Sequence, residues 1–212
     1  MTLAQTTAAA LSALAFLAAW PAAAQEATTD AAAEAAVAEM ALGPADAPVT
    51  VIEYASFTCP HCANFHQDEF QRIKENYIDP GLVRFVYREV YFDRPGLWAS
   101  MVARCGGEMR FFGIADMLYN GQREWIGDGE PAAIAENLRA IGRAAGLDDA
   151  ALDACLEDEA QAEALYGWYQ ANAEADGIDS TPTFIIDGDK HSNMGYEDFA
   201  AILDAELAEA GQ

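Results

Sequence analysis

Two cysteines that could carry out disulfide exchange lie in residues 56–62, whose sequence is SFTCPHC. An apolar run at 49–54, typical of a buried strand, precedes them, and apolar residues at helical spacing follow. The thiols therefore lie where a strand turns into the N-terminus of a helix. Free backbone N–H groups and the positive end of the helix dipole favour a thiolate there, and the thiolate is the form that reacts. We expect Cys59 to be exposed with a low pKa, and Cys62 to be shielded.

Other features near the two thiols bear on the same chemistry. His61 lies between them, and its positive form would further favour the Cys59 anion. Each unit by which the pKa of Cys59 falls favours the reduced anion by about 1.4 kcal/mol, which makes the disulfide a better oxidant. The C-x-x-C spacing also occurs in zinc sites, which usually need four Cys or His ligands. The other cysteines, Cys105 and Cys155, stand alone, so the spacing favours a redox pair but leaves zinc and an inert disulfide open.

The composition excludes some classes of function. The chain has 212 residues, of which 52% are hydrophobic, so it can bury a sizeable core. Its formal net charge is −24 at pH 7. This acidity argues against nucleic-acid binding and against adhesion to anionic membranes through charge, and we interpret it as a contribution to solubility.

The first 24 residues contain no charged side chain. Residues 8–19 form an apolar stretch that is too short to span a bilayer, and the three alanines at 22–24 before Gln25 match the small residues of a cleavage site. The segment before this stretch lacks Lys and Arg, which departs from the usual pattern. We predict a cleaved signal peptide at 1–24, with an uncleaved anchor as the alternative, and an oxidising compartment for the mature chain.

The rest of the chain begins with a loose N-terminal arm at 25–42, in which the Ala- and Glu-rich composition predicts a short helix at 31–40. A sheet-forming part then covers 43–94 and 177–212. Its first strand and helix end at the breaker sequence DPG, and alternation at 82–88 predicts a second strand. Strand, helix and strand in this order make a βαβ unit with a parallel pair.

Helical spacing predicts an inserted block of five helices within 95–176. Strand character returns at 181–186 and 190–194, and a last helix is predicted at 195–211, so the fold class is α/β. Cys105 and Cys155 fall on different helices of the block. Because the other two cysteines form a local pair, a bond between these two is the natural second disulfide, worth up to about 4 kcal/mol. Two buried free thiols are the alternative.

The combination of CPHC after an apolar strand, a helical insertion, and TPTF at 181–184 before a hairpin resembles the DsbA-type thiol:disulfide oxidoreductases. The likeness covers roughly residues 43–206. The extra cysteine pair is similar to the branch with a second, non-catalytic disulfide, which is common in alphaproteobacterial members. The resemblance implies a thioredoxin fold, βαβ…ββα, with an inserted all-helical domain.

The resemblance also implies roles for the residues of the CPHC motif. Cys59 would be the nucleophile and the sulfur attacked in the mixed disulfide, and Cys62 would resolve that intermediate. Pro60 and His61 would set the redox potential.

Further roles implied by the resemblance lie outside the motif. Pro182 would be a cis-proline facing the disulfide, and its neighbour Thr181 would tune the sulfurs and pair with an extended substrate chain. Glu53 matches a buried acid that relays protons to Cys62, although an ordinary strand carboxylate is the alternative. The polar sequence at 190–195 departs from the plainer apolar strand of the family.

The function implied is a periplasmic enzyme that introduces disulfides into reduced, unfolded exported proteins. It would need no metal or organic cofactor, and a quinone-linked membrane oxidase of the DsbB type would reoxidise it. We expect a monomer, because the arm at 25–42 is too small for the dimerisation domain that isomerases of this kind usually carry. The alternatives are a reductase or isomerase of the same fold, a non-catalytic binding module held by disulfides, and a zinc-binding domain.

Overall fold

A five-stranded sheet forms the centre of the computed structural model, which describes residues 37–211. The strand order is β1-β3-β2-β4-β5. The strands are β1 Met40–Leu42, β2 Val49–Ala55, β3 Val83–Glu89, β4 Thr183–Ile186 and β5 Asp189–Ser192. Strands β2 and β3 are parallel, and the other neighbouring pairs are antiparallel. The central strand β2 leads into the cysteine turn, so the middle of the sheet positions the two thiols.

Helices follow β2, fill the chain between β3 and β4, and end the fold. They are α1 Pro60–Gln67, α2 Glu69–Ile73, a π-helical segment Lys74–Ile78, α3 Arg94–Cys105, α4 Glu108–Asn120, α5 Gln122–Ile126, α6 Pro131–Ala144, α7 Asp149–Leu156, α8 Glu159–Ala175 and α9 Tyr196–Glu209. The predicted order of a βαβ unit, a helical block and a ββα unit is confirmed.

The predicted N-terminal arm is wrong at its end, where residues 40–42 form strand β1 instead of a loose segment. This strand pairs antiparallel with β3, with Met40 opposite Tyr87 and Leu42 opposite Phe85. The pairing satisfies the outer edge of β3, whose backbone groups would otherwise lack partners, and this outweighs the helix preference of an Ala-rich sequence. The remainder of the arm before residue 37 and the predicted signal peptide at 1–24 lie outside the described residues.

Other details of the secondary structure also differ from the sequence prediction. The helix after the cysteines is interrupted at Asp68, although its predicted apolar face is buried. The block at 94–175 holds six helices, because α5 spans only five residues and gives no readable period. Strand β5 ends at Ser192 rather than 194.

Buried side chains form two large clusters. One lies among β2, β3, β4, the helices α1 and α2, and α9, and includes Val51, Phe65, Phe85, Phe184 and Phe199. The other joins the cysteine turn to the helical block, and includes Phe57, Cys62, Val102, Leu118 and Leu138. Because the second cluster contains the buried cysteine, the inserted helices contribute directly to the surroundings of the candidate site.

Two links fasten the start of the helical block. A disulfide joins Cys105, the last residue of α3, to Cys155 in α7, with an S–S distance of 2.07 Å. Beside it, Arg104 donates to both carboxylate oxygens of the buried Glu89 at the end of β3, at 2.6 and 2.8 Å. Helix α3 is therefore fixed to the sheet on one side and to α7 on the other. Within residues 37–211, no helix combines the length and apolar character needed to cross a membrane.

Candidate active site

The CPHC turn forms the junction between β2 and α1. Cys59 is the N-cap of α1, with Pro60 in the first turn, where its missing N–H costs nothing. The Cys59 amide donates to the Ser56 carbonyl at 3.0 Å, and the Ala63 amide donates to the Cys59 carbonyl at 3.1 Å. Cys59 is only 8% exposed, less than we expected, and Cys62 is completely buried. A partner can therefore approach one sulfur through a narrow opening, while the other sulfur is shielded.

The surroundings of Cys59 stabilise its anion and lower its pKa from 9.0 to about 5. The largest cause is a hydrogen bond from the Cys62 thiol. Burial opposes the shift, and hydrogen bonds from the Thr181 side chain and from the backbone N–H groups of Cys62 and His61 support it. The helix N-terminus thus acts as the sequence suggests, but the neighbouring thiol contributes more. His61 is exposed.

Cys62 has the opposite tendency. Burial raises its pKa well above the ordinary value, and the hydrogen bond to Cys59 and the negative charge of Glu53 raise it further. At neutral pH the reduced pair therefore holds one anion, on Cys59, and one proton, on Cys62. This asymmetry separates the sulfur that reacts with a partner from the sulfur that closes the disulfide.

The loop before β4 lies against the reactive sulfur. The peptide bond between Thr181 and Pro182 is cis. The Sγ atom of Cys59 lies 3.5 Å from the Thr181 carbonyl oxygen, to which the protonated thiol donates. Lys190, in the polar segment that departs from the family pattern, donates to the Gly177 carbonyl at 2.8 Å and so holds the start of this loop.

A buried hydrogen-bonded pair of side chains, Glu53 and His66, lies near Cys62. The Oε2 atom of Glu53 is 2.8 Å from Nε2 of His66, and the two side chains are 0% and 3% exposed. The other carboxylate oxygen, Oε1, has no hydrogen-bond partner. The family resemblance implied a role for Glu53 but none for His66. The spacing of four residues from Cys62 could have indicated it, because residues i and i+4 share one face of a helix.

Two tyrosines close this buried polar region. The hydroxyl groups of Tyr87 and Tyr119 are 2.5 Å apart, and burial raises the pKa of both well above the ordinary value. The ring of His66 stacks on that of Tyr119 with centroids 4.2 Å apart. Both phenols therefore stay protonated, and the stacking fixes the imidazole against the Glu53 carboxylate.

A second residue that the sequence analysis missed lies in α5. Gln122 is 6% exposed, and its Nε2 atom donates to the carbonyl oxygens of Phe57 and Cys59 at 2.8 and 2.9 Å. Nothing in its sequence neighbourhood marks it, because α5 is short and the contact joins residues more than 60 positions apart.

No group of three or more His, Cys, Asp or Glu side chains suited to a metal ion occurs in the described part of the chain. Among residues 37–211, the two thiols of the CPHC turn are therefore not joined by a third His, Cys, Asp or Glu side chain in an arrangement that could hold a metal ion.

Comparisons with known proteins agree with this geometry. The family model described as Thioredoxin matches residues 35–205. A Rickettsia bellii protein, named provisionally as a protein-disulfide oxidoreductase, is 31% identical over 81% of this chain and 66% of its own length. A Rickettsia typhi relative with a similar name is 30% identical over 80% of this chain and 62% of its own. The chain thus spans less than two thirds of the length of these curated relatives.

Solved structures are similar over most of the chain. Wolbachia pipientis alpha-DsbA1 superposes with a TM-score of 0.76 at 27% identity, covering 81% of this chain and 92% of that one. A protein-disulfide isomerase from Novosphingobium aromaticivorans superposes with a TM-score of 0.70 at 25% identity, covering 82% and 98%. The resemblance indicated by CPHC and TPTF is confirmed. The chain belongs to the thioredoxin family, and over most of its length it is similar to DsbA-type protein-disulfide oxidoreductases.

Proposed function

We propose that this chain is a dithiol oxidase that introduces disulfides into other proteins. The observation that carries the proposal is the asymmetry of the two thiols, with the pKa of Cys59 lowered to about 5 and that of Cys62 raised by burial. An anion stabilised in the reduced enzyme favours reduction of the Cys59–Cys62 bond, and a disulfide that is easily reduced is a strong oxidant of other thiols.

The exchange proceeds in two steps. A substrate thiolate attacks Sγ of Cys59, the Cys59–Cys62 bond breaks, and Cys62 leaves as a thiolate that takes up a proton. A second substrate thiolate then attacks the substrate sulfur of the mixed disulfide, and Cys59 leaves as a stable anion. The enzyme gains two electrons and the substrate gains a disulfide. One of the two substrate protons ends on Cys62 and the other enters solvent.

The residues around the sulfurs have distinct proposed roles. Glu53, paired with the buried His66, exchanges the proton of Cys62, because an isolated thiolate at that depth is costly. Thr181 donates to the Cys59 anion, and its backbone, which lies before β4, is placed to pair with an extended substrate segment. Pro60 and His61 are exposed beside the reactive sulfur and tune its redox potential.

The location and partners belong to the same proposal. The apolar, uncharged residues 1–24 support export to the periplasm, where reduced proteins arrive as substrates. A quinone-linked membrane oxidase of the DsbB type would restore the disulfide, and no metal or organic cofactor is required. We propose a monomer. Fractionation of cells that express the chain with and without residues 1–24, followed by light scattering of the purified protein, tests the location and the oligomeric state.

The direct test is oxidation of a reduced, unfolded protein by the purified enzyme with its Cys59–Cys62 bond intact. We expect rapid transfer by the wild type, loss of transfer in Cys59→Ser, and retention in a double variant with Cys105→Ala and Cys155→Ala. Inactive wild-type enzyme would refute the oxidase, and an active Cys59→Ser variant would favour a non-catalytic binding module. Stoichiometric metal after mild purification would favour a zinc domain.

An isomerase is the second candidate, because a structural neighbour with 25% identity is a protein-disulfide isomerase. An isomerase must start from the reduced pair. Its thiolate attacks an incorrect disulfide of the substrate, and the substrate leaves after its disulfides have rearranged. Recovery of a scrambled test protein by the reduced enzyme therefore discriminates the two functions. We expect slow recovery with the reduced chain and fast oxidation with the disulfide form.

A further inference from the structure

Gln122 connects the helical block to the reactive turn. It begins α5, and its side-chain amide crosses to the carbonyl group of Phe57, two residues before the CPHC motif, and to that of Cys59, the first residue of the motif. The distances of 2.8 and 2.9 Å mean that both amide hydrogens are used, one on each carbonyl.

These two carbonyl groups need a donor. Phe57 is buried and lies after the end of β2, so its carbonyl is outside the sheet ladder. The carbonyl of Cys59 accepts the Ala63 amide and has room for a second donor. A carbonyl oxygen is also the negative end of a dipole, and these two belong to the turn that carries the sulfur that must become an anion. The amide hydrogens of Gln122 oppose that negative potential and fix the direction of both dipoles.

The support behind Gln122 is rigid. Trp125, three residues later, is buried, and its indole nitrogen donates to the Leu118 carbonyl at 2.8 Å. Asn137 of α6 donates to the Trp125 carbonyl at 3.2 Å. Helix α5 is therefore held by contacts that do not involve the cysteine turn, and these contacts support the position of the Gln122 amide.

We propose that Gln122 is a positioning residue that holds the cysteine turn in the geometry in which the Cys59 anion is stable, and so sets the redox equilibrium of the CPHC pair. The proposal rests on the oxidase function. The inserted helices would then have two effects on the site. They cover the buried Cys62, and through Gln122 they influence the redox equilibrium of the pair.

The test compares Gln122→Leu and Gln122→Glu with the wild type. Two readouts follow the chemistry, namely the thiolate absorbance of Cys59 against pH and the equilibrium of the pair with glutathione. Loss of the donors in Gln122→Leu should move that equilibrium about three- to tenfold toward the disulfide form, the equivalent of half to one pKa unit. Gln122→Glu should have a larger effect near neutral pH, because a carboxylate accepts and repels both oxygens.

Acid gives Gln122→Glu a signature that a loss of packing would not produce. The introduced carboxyl group can donate one hydrogen bond once protonated, so its difference from the wild type should narrow as the pH falls even while Cys59 is still ionised, whereas the difference of Gln122→Leu should not. Because the side chain is nearly isosteric with glutamine, this variant carries the test if Gln122→Leu does not fold.

The matched control is Gln67→Leu. Gln67 also donates its amide across the same interface, to the Tyr119 carbonyl at 3.0 Å, but its side chain makes no hydrogen bond to the cysteine turn. It should lose some stability and keep the wild-type ionisation and equilibrium. If both Gln122 variants titrate and equilibrate like Gln67→Leu in an enzyme that oxidises substrates, the positioning role is refuted. If the wild type itself transfers no disulfide, the proposed function fails instead.

Discussion

Acid should remove a measurable part of the folding stability of the reduced protein, through Cys59. The environment of the folded chain lowers the pKa of this thiol to about 5, whereas in the unfolded chain it returns to near 9. Between these values the unfolded state binds one proton more than the folded state. Stability therefore rises with pH across this window, is fully present above pH 9, and is lost as the pH falls through 5.

The magnitude follows from the same shift. Two pH units separate pH 7 from the folded pKa, which corresponds to about 2.7 kcal/mol at most. The sulfur lies at an opening to solvent, where water screens the interactions that stabilise the anion. We therefore expect reduced wild-type protein to exceed Cys59→Ser in unfolding free energy by about 1–2 kcal/mol at pH 7. The part of this difference that depends on pH should be close to zero at pH 4.

Guanidinium denaturation of both proteins under reducing conditions, at a series of pH values, measures this difference. Both should carry Cys105→Ala and Cys155→Ala, so that reduction of the second disulfide does not contribute. The other titrating groups are the same in both proteins, so their contributions to the unfolding free energy largely cancel in the difference. A difference that stays constant between pH 4 and pH 8, or a Cys59 thiolate that titrates near pH 9, would refute this account of the anion.

Three further outcomes follow from the buried contacts. Removing the Cys105–Cys155 disulfide by double alanine substitution should lower the melting temperature, with a cost of up to about 4 kcal/mol, and leave disulfide transfer intact. Arg104→Met should cost about 3–5 kcal/mol in denaturant, because it strands the buried Glu89 carboxylate, whereas a loss under 1 kcal/mol would contradict this. His66→Asn should slow proton-dependent closure of the disulfide in stopped-flow reoxidation, and an unchanged pH profile would exclude a role for the imidazole.

Local signals in the sequence were sufficient to place the reactive turn. An apolar run followed by helical spacing put Cys59 at a helix N-terminus, and the TPTF sequence marked the strand beside it. These predictions depend on residues close together in the chain. For the same reason the order of a βαβ unit, a helical block and a ββα unit was predicted correctly, whereas strand β1 and the short helix α5 were not predicted.

Features that depend on distant partners could not be predicted in this way. Strand β1 exists because β3 has an open edge, and its own three residues carry no strand pattern. The pairing of Glu53 with His66 requires α1 to lie over β2 in one register. Gln122 is a polar residue in a short helix. Its role depends entirely on the two carbonyl groups, of Phe57 and Cys59, to which it donates across the interface, so its own sequence neighbourhood does not indicate it.

The separation of the two cysteine pKa values depends on the helical block as much as on the thioredoxin part. Burial is the largest cause of the raised pKa of Cys62, and this thiol lies in the cluster that includes Val102, Leu118 and Leu138 of the inserted helices. The protonated Cys62 is in turn the main donor to the Cys59 anion. Covering one sulfur with helices therefore keeps the proton that stabilises the other. Burial of Cys62 therefore stabilises the reactive thiolate of Cys59, although Cys62 itself is not exposed to substrates.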